Sequence, residues 1–311
     1  MRRSDYSWVI VAIGFIVLFF SGGSRFAFGL VLKPMAEELG ETRTAISISV
    51  TAFMVISALM MPLVGRLVDR HSLRWVVAVG TLLAAVGMML MSLAAAPWQV
   101  FLSYGIVYAT GHAASSNVPV GVMITRSFER RRGIANSVAI SGNATGQMVI
   151  IALLSSFFLA SLGWRTSYVL LGIANILVVI PLVLFCTRST RQYEDRSHTQ
   201  NTELIQAPLD DKNRPLAIRR EPPSPTESRD PISLIPVFPS HQLWVLLVIY
   251  SICGFQDFFV ATHLVSFAVD EGMGSVLAGN MLALMGLMGL IGVLSSGLLA
   301  DAFGPKHPTA L

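Results

Sequence analysis

Charged residues are scarce in this chain. Asp, Glu, Lys and Arg make up 13% of its 311 residues, about half the share of an ordinary soluble protein, which excludes a large water-facing surface. Cysteine is nearly missing. Cys186 and Cys253 are the only two, both in or beside apolar runs, so no disulfide framework and no paired-cysteine metal site is implied. The motifs of common catalytic chemistry are missing as well. The sequence has no nucleotide-binding glycine loop, no HExxH and no GxSxG elbow, and its His, Ser and Asp residues are scattered. Neither an enzyme nor a cofactor or metal is expected.

What the chain has instead is hydrophobic length, at 53% hydrophobic residues. A membrane-crossing helix needs about 20 predominantly apolar residues, and this sequence offers such runs at 8–32, 44–67, 74–95, 98–122, 133–160, 164–186, 241–263 and 275–300. They are apolar all round, whereas a soluble helix carries a single apolar stripe. The expectation is an all-α polytopic membrane protein of eight spans. MRRSDYSWVIVAIGFIVLFFSGGS at the start resembles a signal peptide, but its apolar run continues through FAFGLVL, and it is taken as the first span.

Basic residues alternate between the connections. Arg2, Arg3, Arg66, Arg70, Arg74, Arg126 and Arg130 to Arg132 fall on one side, with the 187–240 segment and Lys306; Lys33, Arg43 and Arg165 fall on the other. Because Lys and Arg near span ends stay cytoplasmic, both termini are expected inside a cell (plasma or inner) membrane. The net charge of +4 then suits anionic lipid headgroups and requires no nucleic acid. Residues 187–240 include EPPSPTESRDPISLIP and are rich in Pro, Ser and charge, the composition of a disordered linker. Ser224-Pro225 is a candidate phosphosite there, with a plain tether as the alternative. The expected organisation is a six-helix bundle over 1–186, a cytoplasmic linker over 187–240, and two further helices over 241–311.

GRLVDRHSLR, residues 65–74, follows the second span, and GLLADAFGPK, residues 297–306, follows the eighth. Gly65 aligns with Gly297, Leu67 with Leu299, Asp69 with Asp301, and Arg74 with Lys306. A matching decapeptide at the matching place in two blocks indicates internal duplication, common among transporters. The pattern G-x-L-x-D-R-x-x-x-R resembles the loop motif of the major facilitator superfamily (MFS). The resemblance implies a cytoplasmic gate formed by Gly65, Asp69, Arg70, Arg74, Gly297 and Asp301, in which a glycine admits a neighbouring helix and the aspartate pairs with arginine or a helix N-terminus. Ser72 stands where the family usually has glycine; Gly304 keeps it in the second copy. Twelve spans are the family pattern. The chain is therefore expected to be an incomplete, C-terminally truncated MFS fold, with a six-helix N-terminal half and two helices of the C-terminal half.

SFERRRGIANSVAISGNATGQ, residues 127–147, narrows the resemblance. Phe128, Arg131, Arg132, Ala135, Asn136, Gly142 and Gly146 match a stretch of monocarboxylate transporters and oxalate–formate exchangers, and SRFAFGLVLKPMAEELG and GWRTSYVLLG look like the same group. The acidic, tryptophan-rich first-span signature of animal monocarboxylate carriers is replaced by SGGSRFAFG.

Polar groups at membrane depth usually face a cavity or one another. Ser21 and Arg25 lie four apart on the first span, where the arginine can bind a carboxylate bidentately or snorkel to the outer interface. Tyr104, Tyr108, His112 and Ser116 recur every four residues and form one slowly drifting stripe, lining a cavity or bonding to neighbouring helices. His112 is either structural or a proton carrier. Gly142 and Gly146 mark a close-packing face, beside which Asn143 and Gln147 are helix–helix bonds or substrate contacts. Asp257 and His263 are candidates for proton coupling, with a structural pairing as the alternative for Asp257.

The resemblance implies secondary transport of a small organic anion, best a monocarboxylate, by alternating access with proton symport or anion exchange. Two other readings stay open: a truncated remnant that does not transport, or that depends on another membrane chain, and a multidrug efflux carrier.

Overall fold

The computed structural model describes residues 3–128, 132–186 and 241–303. The linker call over 187–240, with Ser224-Pro225, lies outside the described residues, as do Arg130, Arg131, Gly304 and Lys306. Every described element is a helix. In hydrocarbon no water satisfies the backbone, and a helix pairs its own N–H and C=O groups. The elements are α1 (Arg3–Leu39), α2 (Arg43–Arg70), α3 (Leu73–Ser92), α4 (97–114), α5 (Asn117–Ser127), α6 (Arg132–Phe158), α7 (Ser161–Phe185), α8 (His241–Asp270) and α9 (Ser275–Phe303).

Seven of these, α1, α2, α3, α6, α7, α8 and α9, are long and apolar enough to cross a membrane. The fourth predicted run, 98–122, is not a single helix. Its α4 part is α-helical over Pro97–Val100, widens into a π-helix over Phe101–Tyr108 and returns to α-helix over Ala109–Ala114. Ser115 and Ser116 break it before α5 begins. Hydroxyls there bond back to the preceding turn, Ser115 Oγ to the Gly111 carbonyl (3.2 Å) and Ser116 Oγ to the Ala113 carbonyl (2.8 Å), a competition that loosens helices.

Other helices outrun their predicted limits. The apolar runs stop at residues 32 and 263, but α1 continues to Leu39 and α8 to Asp270, and the charged side chains on these extensions pair with one another, as described below. Turns at this end use glycine where the backbone turns left-handed: Gly40 (φ 65°), Gly163 (φ 73°) and Gly272 (φ 88°), a conformation glycine adopts without steric cost. Thr42 then caps α2, its Oγ1 accepting from the Ala45 N–H at 3.3 Å.

The chain divides into two compact units, Met1–Arg188 with Phe259–Leu311, and Ser189–Phe258. In the first unit α1 packs along α6, α6 also along α9, and α3 against α4 and α7. Glycines set the α1–α6 distance. A Cβ on Gly142 would stand 3.0 Å from the Phe15 carbonyl carbon, one on Gly146 2.7 Å from that of Phe19, and one on Gly22 2.7 Å from Asn143 Cα. Such contact between backbones is how membrane helices gain dispersion energy without a hydrophobic drive. Ile13, Val17, Val120, Ile124 and Ala139 fill the core on the Arg70 side of this crossing.

Polarity is distributed as hydrocarbon requires. Ser49, Thr81, His112, Gln147 and Asn175 are buried, while Leu59, Leu63, Val79, Leu90 and Leu177 are exposed. The first unit is a multi-pass membrane bundle. In the second unit the described residues are 241–258, the opening of α8, whose side chains from Trp244 to Gln256 are exposed.

Candidate functional site

Three helices of the first unit, α1, α2 and α4, meet beside Arg25. Its own helix, α1, places Phe28 three residues on, and Phe28 packs on Tyr104 at 4.3 Å between ring centroids. Tyr104 and Tyr108 of α4 stack at 4.9 Å with planes 16° apart, and Phe53 of α2 stacks on both, at 5.2 and 5.6 Å. His112 continues the column, edge-on to Phe53 at 5.1 Å. The π-helical turn explains why the stripe runs straight. In an α-helix a four-residue step overshoots a full turn by about 40°, whereas the wider π turn makes the step fall short of one. The π step from Tyr104 to Tyr108 therefore offsets the α step from Tyr108 to His112.

The polar atoms of this column are incompletely matched. Tyr104 Oη donates to the Arg25 carbonyl at 3.3 Å. Tyr108 Oη, His112 Nδ1 and Ser21 Oγ, one turn before Arg25, are buried without a hydrogen-bond partner. The Arg25 guanidinium lies over the Phe26 ring at 4.4 Å, and its charge reaches Tyr104, Tyr108 and His112. The column thus combines a cation, stacked apolar ring faces and unspent donors and acceptors. That is the equipment for holding a small anion with an apolar body.

Asn143 and Gln147 are placed elsewhere. Asn143 Nδ2 donates to Asn117 Oδ1 at 2.7 Å, tying α6 to α5, and the buried Gln147 donates to the Leu282 carbonyl of α9 at 3.1 Å. Both make helix–helix hydrogen bonds. His263 packs on Phe259, one turn earlier on α8, at 5.2 Å. Asp257 is half-buried on the same helix and belongs to the second unit. Among the described residues no cluster of three or more His, Cys, Asp or Glu side chains forms.

Sequence reasoning did not find the ion pairs at the far end of the bundle. Asp270 accepts from Lys33 at 2.9 Å and from both terminal nitrogens of Arg43, joining the ends of α1, α2 and α8. Glu38 accepts from Arg165 Nε at 2.7 Å and from the Trp164 indole, while Arg165 also donates to the Ser92 carbonyl at 2.6 Å, joining α1, α3 and α7. Only charge order could have signalled these pairs: Lys33, Arg43 and Arg165 are the basic residues expected at that end, and each has a carboxylate.

At the opposite end lies the repeated decapeptide. Asp69 is exposed and 3.9 Å from Arg126; Arg70 is exposed at the close of α2; Arg74 lies over Trp75 at 5.9 Å. The two glycines differ. Gly65 has nothing within 4 Å of where a Cβ would stand, whereas a Cβ on Gly297 would strike the Ser137 side chain of α6. Asp301 lies in α9, its side chain outside the description. Nearby, Phe128 stands edge-on to Trp8 at 5.8 Å.

The sequence profile of the Major Facilitator Superfamily matches residues 14–311. The chain belongs to this superfamily. The "Uncharacterized MFS-type transporter YcxA" of Bacillus subtilis (strain 168) is 24% identical over 98% of this chain and 68% of its own length. Monocarboxylate transporter 11 of Mus musculus is 25% identical over 95% of this chain and 60% of its own length, and Monocarboxylate transporter 2 of Homo sapiens 23% identical over 96% and 60%. The crystal structure of a bacterial homolog to the human lysosomal transporter Spinster, inward-facing and unoccupied, superposes with a TM-score of 0.69 at 16% identity, covering 97% of this chain and 64% of that one. The chain thus spans about two thirds of the length of these MFS proteins.

In the MFS frame Gly65, Asp69, Gly297 and Phe128 lie at one end and the paired carboxylates at the other. The Arg25 column stands between them, inside a span.

Proposed function

We propose that this MFS chain serves secondary transport of a small organic anion, with a monocarboxylate as the solute class and alternating access as the mechanism. The observation that carries this reading is Arg25. A guanidinium inside a span is costly unless it serves a partner or a pathway, and the Arg25 carbonyl accepts from Tyr104 of a ring stack in which Tyr108 Oη and His112 Nδ1 are unmatched. The names of the monocarboxylate-transporter relatives support the solute class. We assign Arg25, Tyr104, Tyr108 and His112 to anion binding. Asn143 and Gln147 form the helix contacts that hold it, and Asp257 and His263 are the groups for proton symport; anion exchange would leave those two dispensable. Gly65, Asp69, Arg70, Arg74, Gly297 and Asp301 form the gating motif.

Orientation follows from charge. At the Gly40 end each basic residue named above is paired with a carboxylate, so unneutralised positive charge gathers at the Arg70 and Arg74 end. By the positive-inside rule that end is cytoplasmic, in a cell membrane.

The test is uptake of labelled acetate, butyrate and benzoate into proteoliposomes, with and without an imposed pH gradient. Saturable uptake that Arg25→Ala abolishes is expected. A response to the pH gradient that Asp257→Asn removes assigns symport; uptake driven only by a trapped anion assigns exchange. Flat uptake for every anion removes the solute claim, and export of hydrophobic drugs replaces it with efflux.

A further inference from the structure

We propose that Lys33 and Arg43 form a second carboxylate site, at the Gly40 end of the bundle, in which Asp270 is the built-in carboxylate that a solute displaces. The proposal rests on the reading that the chain carries an organic anion, and it adds to the Arg25 site a station at the end of the same helix.

The contacts are those of carboxylate recognition. Arg43 reaches Asp270 with both terminal nitrogens, Nη2 to Oδ1 at 2.8 Å and Nη1 to Oδ2, the fork that matches a planar carboxylate. Lys33 Nζ adds a third donor, to Oδ1 at 2.9 Å. The side chains of Lys33, Arg43 and Asp270 are 24%, 39% and 43% exposed, so a dissolved anion can reach them.

Ownership of the charges decides which pairing can part. Lys33 and Arg43 stand on α1 and α2 in the first block, whereas Asp270 closes α8, the first helix of the second. Glu38 differs: its partners Trp164 and Arg165, and the Ser92 carbonyl that Arg165 also holds, all belong to the first block. Alternating access moves one block against the other. When the blocks part at this end, Arg165 keeps its carboxylate, and Lys33 and Arg43 lose theirs.

A solute carboxylate has the same shape and charge as the group that leaves, and it restores the same three hydrogen bonds. Exposed ion pairs contribute little, so Asp270 is a weak competitor for the place. Arg25 lies eight residues before Lys33 on α1, about 12 Å by helical rise, and one helix therefore carries both stations.

The experiment is calorimetric affinity for acetate, butyrate and benzoate at constant ionic strength, with butyramide as the neutral control. It uses the full 311-residue chain in nanodiscs of zwitterionic lipid, with Arg25 intact and with Arg25→Gln. Asp270→Asn should tighten binding of each carboxylate at this site about fivefold, the worth of the exposed pairing removed, and leave butyramide unchanged. Glu271→Gln removes the same charge from the next residue without vacating the site, and affinity should change less than twofold. Adding Arg43→Gln to Asp270→Asn should abolish the gain.

No gain in Asp270→Asn, an equal gain in Glu271→Gln, or a gain that survives Arg43→Gln overturns the proposal. Asp270→Ser vacates the site as well, and decides where Asp270→Asn does not fold; unfolding of both makes the triad structural and also overturns it. A gain that Arg25→Gln abolishes belongs to the Arg25 site, which then stands alone. A gain that persists in Arg25→Gln supports the second site, even where the variant shows that Arg25 itself binds nothing. The Arg43→Gln comparison with Arg25 intact decides where Arg25→Gln does not fold. Failure of every probe to bind any of these chains overturns both readings.

Discussion

Replacing Gly146 by alanine should force α1 and α6 apart and loosen Arg25 with them. The new Cβ would stand 2.7 Å from the Phe19 carbonyl carbon and 2.9 Å from its Cα, nearer still to the carbonyl oxygen. Ordinary contact begins at 3.4 Å, so the helices must separate by at least about 0.7 Å (3.4 less 2.7) at this point. The obstructing atoms are backbone, so no rotamer change relieves them. Overpacking of this kind costs about 1–3 kcal/mol. Alanine also gains up to about 1 kcal/mol over glycine in helix propensity, which must be removed before the contact is read. Gly65→Ala supplies that correction, because nothing lies within 4 Å of its Cβ.

The assay is equilibrium unfolding of the full chain in mixed micelles of a mild and a denaturing detergent, followed by helical circular dichroism. Gly146→Ala should fall below Gly65→Ala by about 1–3 kcal/mol. Gly142 meets Phe15 one turn away on the same crossing, and a single separation relieves both clashes. The double variant should therefore cost less than the sum of the singles by about 0.5 kcal/mol or more. Gly146→Ala should also weaken anion binding, since Arg25 rides on the displaced helix. Stability equal to Gly65→Ala, or strict additivity of the pair, would refute glycine-set contact between these helices.

Two further outcomes follow from the ends of the bundle. Asp270→Ala leaves Lys33 and Arg43 without their shared carboxylate. The distance between spin labels at Glu41→Cys and Glu271→Cys should lengthen and broaden, and an unchanged distribution would show that the triad does not hold α8 to α1. Gly297→Leu should fall below Gly65→Leu by about 1–3 kcal/mol through its collision with Ser137, whereas Gly65→Leu should show only the helix-propensity gain of up to about 1 kcal/mol. Equal effects would remove the asymmetry between the two copies.

Span positions were legible because hydrophobic length is a property of composition. The limits of α6 and α9 fall within three residues of the apolar runs 133–160 and 275–300. Glycine spacing marked the close-packing face of α6 for the same reason: Gly142 and Gly146 lie on one side of the helix whatever stands opposite. Break points were not legible. Ser115 and Ser116 interrupt α4 through their own hydroxyl bonds, yet serine is common inside spans that stay straight. The ion pairs of Asp270 depend on which helices are neighbours, and one sequence carries no signal for that.

The two glycines of the repeat set the duplication against the packing. In the second block the motif helix α9 presents Gly297 to the fifth helix of the first block, at Ser137 of α6. Gly65 holds the matching place in the first block, and nothing lies within 4 Å of where its Cβ would stand. The repeated glycine therefore meets two different surroundings: in α9 it lets the helix approach α6 more closely than a side chain would allow, and in α2 no described neighbour demands a small residue. Repetition of sequence and repetition of packing are thus separate here, and the Gly297 and Gly65 variants measure the difference.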